Sequence, residues 1–377
     1  MITLNNEGNL AKLLVVGVGG EGNNAVNLMI DKQIKGVEYV VVNTDAQQLA
    51  TSKATNKLQI GEKLTKGLGA GARPEIGMQA AEESKEEIIE AIKDYDMIFI
   101  AAGMGGGTGT GAAPVIAALA RELGILTVAI VTKPFNFEGP ERWEYAERGI
   151  AALKEYVDTL LVVPNEKIFL IIDKRASSKT AYAKANEVLQ QAVEGISNII
   201  HRKGVINLDF NDARRVMKDQ GYAHIGVGRA SGENKAEEAA KMAVNSPLLE
   251  TSIEGATHML VNFIASEELA MVDIKDTAEY ITQAAGSNAN IIYGQVEDAS
   301  LGDDMVVMVI ATGFDKNRKI STSEFQFHSG KKEEVKQETA PVEEPKEEKA
   351  PVVEQPSISK DHEINIPEFL QKKRKKG

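Results

Sequence analysis

Between residues 12 and 164, short apolar runs alternate with longer stretches of helical periodicity. The runs are LLVVG (13–17), VEYVVVN (37–43), DMIFIAAG (96–103), ILTVAIVT (125–132) and DTLLVVP (158–164). They are rich in Val and Ile, apolar on both faces, and most end in Gly, Asn or Thr, which is how buried parallel strands read. Segments 74–93 and 112–123 between them are long enough to be crossover helices. The pattern predicts a Rossmann-like, doubly wound α/β sheet, with ligands at the carboxyl ends of the strands.

A long helix follows. Tyr182, Ala185, Val188, Leu189, Ala192, Val193, Ile196, Ile199 and Ile200 recur at three- and four-residue spacing. Ser177 or Ser178 serves as its N-cap and Gly204 as its stop. Beyond it, YAHIGVGRASG, THMLVNFIAS, ANIIYGQVE and DDMVVMVIATG read as four strands, with helical stretches at 234–244 and 273–284. A second, smaller α/β domain joined through the central helix is expected. The expected divisions are 1–176, 177–204 for the helix, 205–316, a linker over 317–361 and a terminal peptide over 362–377.

The pattern fails after about residue 315. Residues 329–360 are Lys, Glu, Pro and Val in low-complexity order, without Leu. Such a segment buries too little to offset its chain entropy and reads as a disordered tether. It ends in INIPEFLQKKRKKG, a short apolar patch before a basic cluster, which reads as a binding peptide.

Composition narrows the chemistry. With no cysteine, disulfides, thiolate metal sites and cysteine nucleophiles are excluded. Five scattered histidines without ligand spacing argue against a transition-metal site. The net charge of −12 disfavours nonspecific binding to nucleic acid or anionic lipid. No apolar run approaches the ~20 residues that span a bilayer, so no direct membrane insertion is expected. The N-terminus lacks the pattern of a signal peptide, and the expectation is a cytoplasmic protein.

The first strand runs into GVGGEGNNA, where Gly17, Gly19 and Gly22 make a GxGxxG. Glycines there let backbone approach a phosphate at the following helix N-terminus. Asp45 closes the second strand about where a dinucleotide fold carries its ribose-binding acid. Those two features alone favour an NAD-binding oxidoreductase. The run GMGGGTGTGAAP (103–114), at the end of the DMIFIAAG strand segment, changes that reading. The backbone N–H groups from Gly105 to Gly111 would form an anion-binding concavity, with Thr108 and Thr110 adding hydroxyls. Two phosphate cradles on neighbouring strand ends exceed what a dinucleotide needs, whereas a triphosphate uses both. No GxxxxGK[ST] occurs, so phosphate charge must be met by backbone dipoles and a bound Mg²⁺.

GMGGGTGTG, with VNTDAQ (42–47), TKGLGAGARPEIG (65–77), VTKPFNFEG (131–139), SPLLE (246–250) and the terminal IPEFL (366–370), resembles the tubulin/FtsZ family over about residues 12–314. The resemblance implies a GTPase that polymerises head to tail and forms the cell-division ring, binding GTP/GDP with Mg²⁺. It implies that Gly20, Glu21, Gly22, Asn23 and Asn24, with Gly105, Gly106, Gly107, Thr108 and Gly109, surround the phosphates and sugar. Ala70 and Gly71 would sense the γ-phosphate. Glu138, Arg142 and Asn165 would lie near the ribose, Tyr182 would stack on guanine, and Asn186 would bond its edge. In NLDFND, Asp209 and Asp212 would polarise water in the next subunit's site, with Asn207 setting the geometry. Read without the resemblance, Asp209 or Asp212 is a helix N-cap. Glu138 and Arg142 are then a solvated helix pair, and Tyr182 is part of a core stripe.

The chain departs from the family pattern in places. Glu21 stands where a glycine is common, and Arg73 where an asparagine is. A carboxylate at Glu21 would point outward or lie near the bound metal. SSKTAYAKAN (177–186) is also more polar than its counterpart, whereas the GMGGGTGTG and NLDFND loops do not depart. Finally, the resemblance implies that residues from Ile364 to Lys376 dock membrane tethers and division regulators, with Ile364, Ile366, Phe369 and Leu370 as apolar contacts. A non-hydrolysing tubulin-like scaffold is the remaining alternative.

Overall fold

The computed structural model describes residues 11–314 apart from 174, 202–203, 247–252, 267–268 and 287–288. The linker, the terminal peptide and most of SPLLE lie outside the described residues.

The amino-terminal half runs β1 (Leu13–Val18), α1 (Gly19–Asp31), β2 (Val37–Asn43), α2 (Ala46–Thr51), β3 (Asn56–Gln59), α3 (Glu62–Thr65), α4 (Pro74–Glu83), α5 (Lys85–Ile92), β4 (Met97–Gly103), α6 (Thr108–Glu122), β5 (Leu126–Lys133), α7 (Pro140–Lys154) and β6 (Thr159–Pro164). All five apolar runs are strands. β1, β5 and β6 are buried along their whole length, and β4 at all but its last residue. That matches continuous apolar sequence covered on both faces. β3 escapes such a reading because it is the polar edge strand NKLQ.

The strand order β3-β2-β1-β4-β5-β6 is parallel throughout. β1 lies between β2 and β4, so the sheet grows one way from β1 and then the other. The crevice outside the carboxyl ends of β1 and β4 is therefore a topological switch point, where open α/β sheets bind ligands.

The remainder comprises α8 (Ser178–His201), α9 (Phe210–Met217), β7 (Gly221–Ala230), α10 (Lys235–Val244), β8 (His258–Ala265), α11 (Met271–Ala285), β9 (Asn290–Glu297) and β10 (Met305–Thr312). The Ser177 hydroxyl caps α8 by accepting from Thr180 N at 3.2 Å. β7 continues the parallel sheet through two residue pairs with β6, then pairs antiparallel with β10. β10 pairs antiparallel with β8, and β8 parallel with β9.

α8 holds these parts together. Its apolar stripe, Leu189, Val193, Ile196 and Ile200, shares one core cluster with Val15 and Phe99 on one side and Leu260 and Ile310 on the other. The helix also carries the chain from one pole to the other. Tyr182, near its start, lines the crevice at the strand carboxyl ends. His201, at its end, bonds Ala11 O just before β1 begins. Its 24 residues span about 36 Å.

Candidate active site

The crevice at the switch point is a cavity of about 410 Å³, a volume typical of small-molecule sites. The first turns of α1 and α6 meet at its floor. Gly19 has φ +72°, and a β-carbon on it would lie 2.9 Å from Gly109 N, so only glycine permits this approach. The first N–H groups of a helix have no acceptor inside the helix. Two such sets, with two positive dipole ends, therefore open onto one cavity.

The glycines of 103–111 divide between two tasks. A β-carbon on Gly111 would lie 2.0 Å from Pro74 O, and one on Gly109 2.6 Å from Gly103 O. These positions let α4 and the β4 end close on α6. Gly106 has open space instead and lines the cavity. Gly105 N donates to Thr110 Oγ1 at 2.8 Å, and the Thr108 and Thr44 hydroxyls are bonded at 2.7 Å. Internal bonds thus fix the loop before any ligand arrives.

Of the residues expected at the nucleotide, Gly20, Glu21, Ala70, Gly71, Gly106, Gly107, Thr108, Gly109, Glu138, Arg142, Asn165 and Tyr182 line this cavity. Gly22, Asn23, Asn24, Gly105 and Asn186 are not lining residues. Gly22 sits against β4, where a β-carbon would meet Ala101 O at 2.2 Å. Asn23 is buried under the loop. With its amide turned to suit its neighbours, it donates to Gly17 O and Gly19 O and accepts from Asn43 Nδ2. Asn24 is exposed on α1. Asn186 lies one helical turn beyond Tyr182, and its Oδ1 is buried without a hydrogen-bond partner. Asn165 Oδ1 is likewise buried and unpartnered, in a residue only 1% exposed.

Opposite the helix N-termini, Glu138 accepts from Phe135 N at 3.0 Å and pairs with Arg142. Tyr182 stands edge-on to Phe135, with centroids 5.3 Å apart at 88°. It is 38% exposed and lines the cavity, so the residue is not locked in the core stripe.

Glu21 points inward. Its Oε1 accepts from the Thr132 hydroxyl at 2.6 Å. Desolvation pushes the carboxyl above the usual carboxylate range, assisted by Glu138 and opposed by the Thr132 hydrogen bond and Arg142.

Asn43, Asp45, Gln48, Leu68, Gly69, Met104 and Pro134 also line the cavity. Asp45, the residue behind the dinucleotide reading, caps α2 by accepting from Gln47 N and Gln48 N. VNTDAQ and TKGLGAGARPEIG contain Asn43, Leu68 and Gly69, and Gln48 follows the first of them directly, so the family-like segments were the signal, although nothing singled out those side chains.

Asn207, Asp209 and Asp212 lie elsewhere. They follow the far end of α8, and Asn207 and Asp209 are exposed. Asp209 is the N-cap of α9: its Oδ1 accepts from Asp212 N at 2.9 Å, and Asp212 Oδ2 accepts from Asp209 N at 3.1 Å. Asn207 Oδ1 accepts from Gly204 N at 2.7 Å. Within one chain these carboxylates form a reciprocal capping box that follows the end of α8 away from Tyr182, and neither lines the cavity.

Residues 12–173 match the GTPase domain of the tubulin/FtsZ family, and residues 221–315 match the C-terminal domain of the FtsZ family. An empty FtsZ dimer from M. jannaschii is 44% identical, with a TM-score of 0.75 over 84% of this chain and 95% of that one. The chain belongs to the FtsZ family. A point mutant of M. jannaschii FtsZ is 46% identical over 81% of this chain and 91% of its own, with a TM-score of 0.76. CetZ2 from Haloferax volcanii, in a GTPγS-bound protofilament, shares 21% identity and the fold, with a TM-score of 0.70 over 81% of this chain and 94% of that one. The matched GTPase domain therefore contains every residue that lines the cavity except Tyr182, and the FtsZ C-terminal domain contains β7 to β10. Among the described residues no helix is long and apolar enough to cross a membrane.

Proposed function

We propose that this FtsZ-family protein binds GTP in the cavity and hydrolyses it only where two copies stack head to tail. The observation that carries the first part is the convergence of the α1 and α6 N-termini at Gly19 and Gly109. Backbone N–H groups from two helices suit a chain of phosphates better than one dinucleotide pyrophosphate. Tyr182 offers a face to the base. The unpartnered amide oxygens of Asn165 and Asn186 are acceptors that donors on a ribose and a guanine edge would satisfy, since an orphaned buried polar group is costly.

The described residues hold no cluster of three His, Asp or Glu side chains able to bind a metal. Mg²⁺ would therefore arrive with the nucleotide, held by phosphate oxygens and water. When bound it neutralises charge on the phosphates; the protein's share is to orient them.

The second part rests on polarity. Asp209 and Asp212 lie at the pole opposite the cavity, so they reach a nucleotide only in another copy. Phosphoryl transfer depends on positioning and charge stabilisation. A carboxylate from the neighbour, with Asn207 beside it, would place the attacking water in line. Such unlike surfaces do not close on themselves and generate a filament. The γ-phosphate favours that filament only by binding it more tightly, and hydrolysis removes the preference. In this reading, residues 1–176 carry the nucleotide, 177–204 connect the poles and 205–316 carry the acidic loop. A tether over 317–361 and a docking peptide over 362–377 attach filaments to membrane tethers at the cytoplasmic division site, where many weak contacts add up.

Phosphate release from GTP against protein concentration tests this reading. A specific rate that climbs above a threshold concentration supports the shared site. A constant rate per molecule refutes it, even with GTP bound.

A further inference from the structure

Glu21 is the third residue of α1, on the turn that faces the cavity. Its carboxyl is held there from two sides. Oε1 accepts from Thr132 at the end of β5, and Oε2 fills the space over Gly103 at the end of β4, where a β-carbon would lie 2.0 Å away. Glu138 and Arg142 act on it from the segment before α7 and from α7 itself, and Tyr182 feels its charge from α8. The neighbouring Lys133 is engaged with Glu147 at 2.7 Å.

Two effects compete at this carboxyl. The first turn of a helix favours negative charge, whereas removal from water disfavours it, and burial prevails. A bound nucleotide adds three changes. It brings several negative charges into the same cavity, expels water from around the carboxyl, and occupies the helix N-terminus that would otherwise stabilise the anion. All three act against the ionised form.

We propose that Glu21 enters the nucleotide complex as a neutral carboxylic acid, so that binding a nucleoside di- or triphosphate takes up one proton from solvent. The proton resides on the carboxyl, which then donates a hydrogen bond towards a phosphate oxygen or an ordered water. A residue that would repel the ligand becomes one that holds it. The proposal rests on the nucleotide-binding reading above and adds a proton to its stoichiometry. Affinity is highest below the pKa of Glu21 in the free protein. It falls as pH rises towards the higher pKa in the complex, by up to about tenfold per pH unit.

Isothermal titration of the full chain with GDP in EDTA, at pH 6, 7 and 8 and in two buffers of different ionisation enthalpy, counts the protons. The terminal phosphate of GDP titrates as well, so the readout is the difference between native protein and Glu21→Gln, with Glu21→Gly as a second variant. Native protein is expected to take up as much as one more proton than either variant. At pH 8 the variants should bind GDP about tenfold more tightly, from relief of a partly screened charge repulsion. At pH 6 the gap should narrow to within about threefold. Equal proton uptake in native and variant proteins, or tighter binding by native protein at pH 8, overturns the proposal while leaving nucleotide binding intact. Absence of GDP binding at every pH overturns the nucleotide reading together with it.

Discussion

Replacing Asp212 with asparagine tests the division of labour between fold and chemistry at the acidic pole. The native carboxylate accepts from Asp209 N at 3.1 Å and sits in the first turn of α9. The oxygen of an asparagine amide can accept the same bond, and the Asp212 N–H that Asp209 uses is unchanged. What is lost is the charge at a helix N-terminus, worth about 0.5 kcal/mol at a surface site. In a chain of this size that lowers Tm by about 1–2 °C. The loss in hydrolysis should be far larger. A carboxylate that orients or deprotonates water contributes about 10²–10⁴-fold, or roughly 3–5 kcal/mol of barrier. The assay pairs phosphate release, measured above the assembly threshold, with thermal melting and light scattering. The expected result is a nearly normal melt, GTP-dependent assembly and turnover reduced at least a hundredfold. A variant that assembles and hydrolyses within about threefold of native would confine Asp212 to capping α9. A turnover loss accompanied by a large drop in Tm would mean that the capping geometry, and not the charge, had been removed.

Asp209→Ala removes the N-cap acceptor itself and should cost about 1 kcal/mol, visible as a denaturant midpoint shifted without a change in m-value. The glycine loop should respond by position. Gly111→Ala places a methyl against Pro74 O and should lose about 1–3 kcal/mol or fail to fold, whereas Gly106→Ala has open space and should melt normally. Titration with fluorescent GDP should then show weaker binding for Gly106→Ala, because the methyl enters the cavity. Tyr182→Ala should reduce guanine-nucleotide affinity about tenfold, as expected for a lost stacking face, with little change in Tm because the ring is partly exposed. Without nucleotide, the raised pKa of Glu21 means the folded state binds its proton more tightly than the unfolded state. Its contribution to stability is therefore fully present below the ordinary carboxylate pKa and is lost as pH rises through the raised value. Melts from pH 4 to 8 should show a decline in native protein that Glu21→Gln partly removes, and superimposable profiles would refute it.

What the sequence determined by itself was whatever depends on local pattern. β1, β4, β5 and β6 were legible because both faces of a parallel strand are covered and the runs are almost wholly apolar. The 24-residue helix was legible from its stripe and serine cap. The glycine-rich loop was legible because few local structures tolerate so many glycines before a helix. β3 was not legible, since a polar edge strand owes its pairing to β2 and not to its own residues. The site was legible as motifs and only partly as side chains. Asn23 proved to brace the loop from beneath, and Asn43, Gln48, Leu68, Met104 and Pro134 entered the cavity from segments that meet only when the sheet and its loops are assembled.

Tertiary structure alone decided two further matters. It turned Glu21 inward onto Thr132, because the loop backbone sets the direction of the side chain and Gly103 leaves room for it. It also left Asp209 and Asp212 out of the cavity lining, beyond the end of α8 that lies away from Tyr182. A sequence records neighbours along the chain, and direction and distance of that kind exist only after the helix has packed between the two halves of the fold.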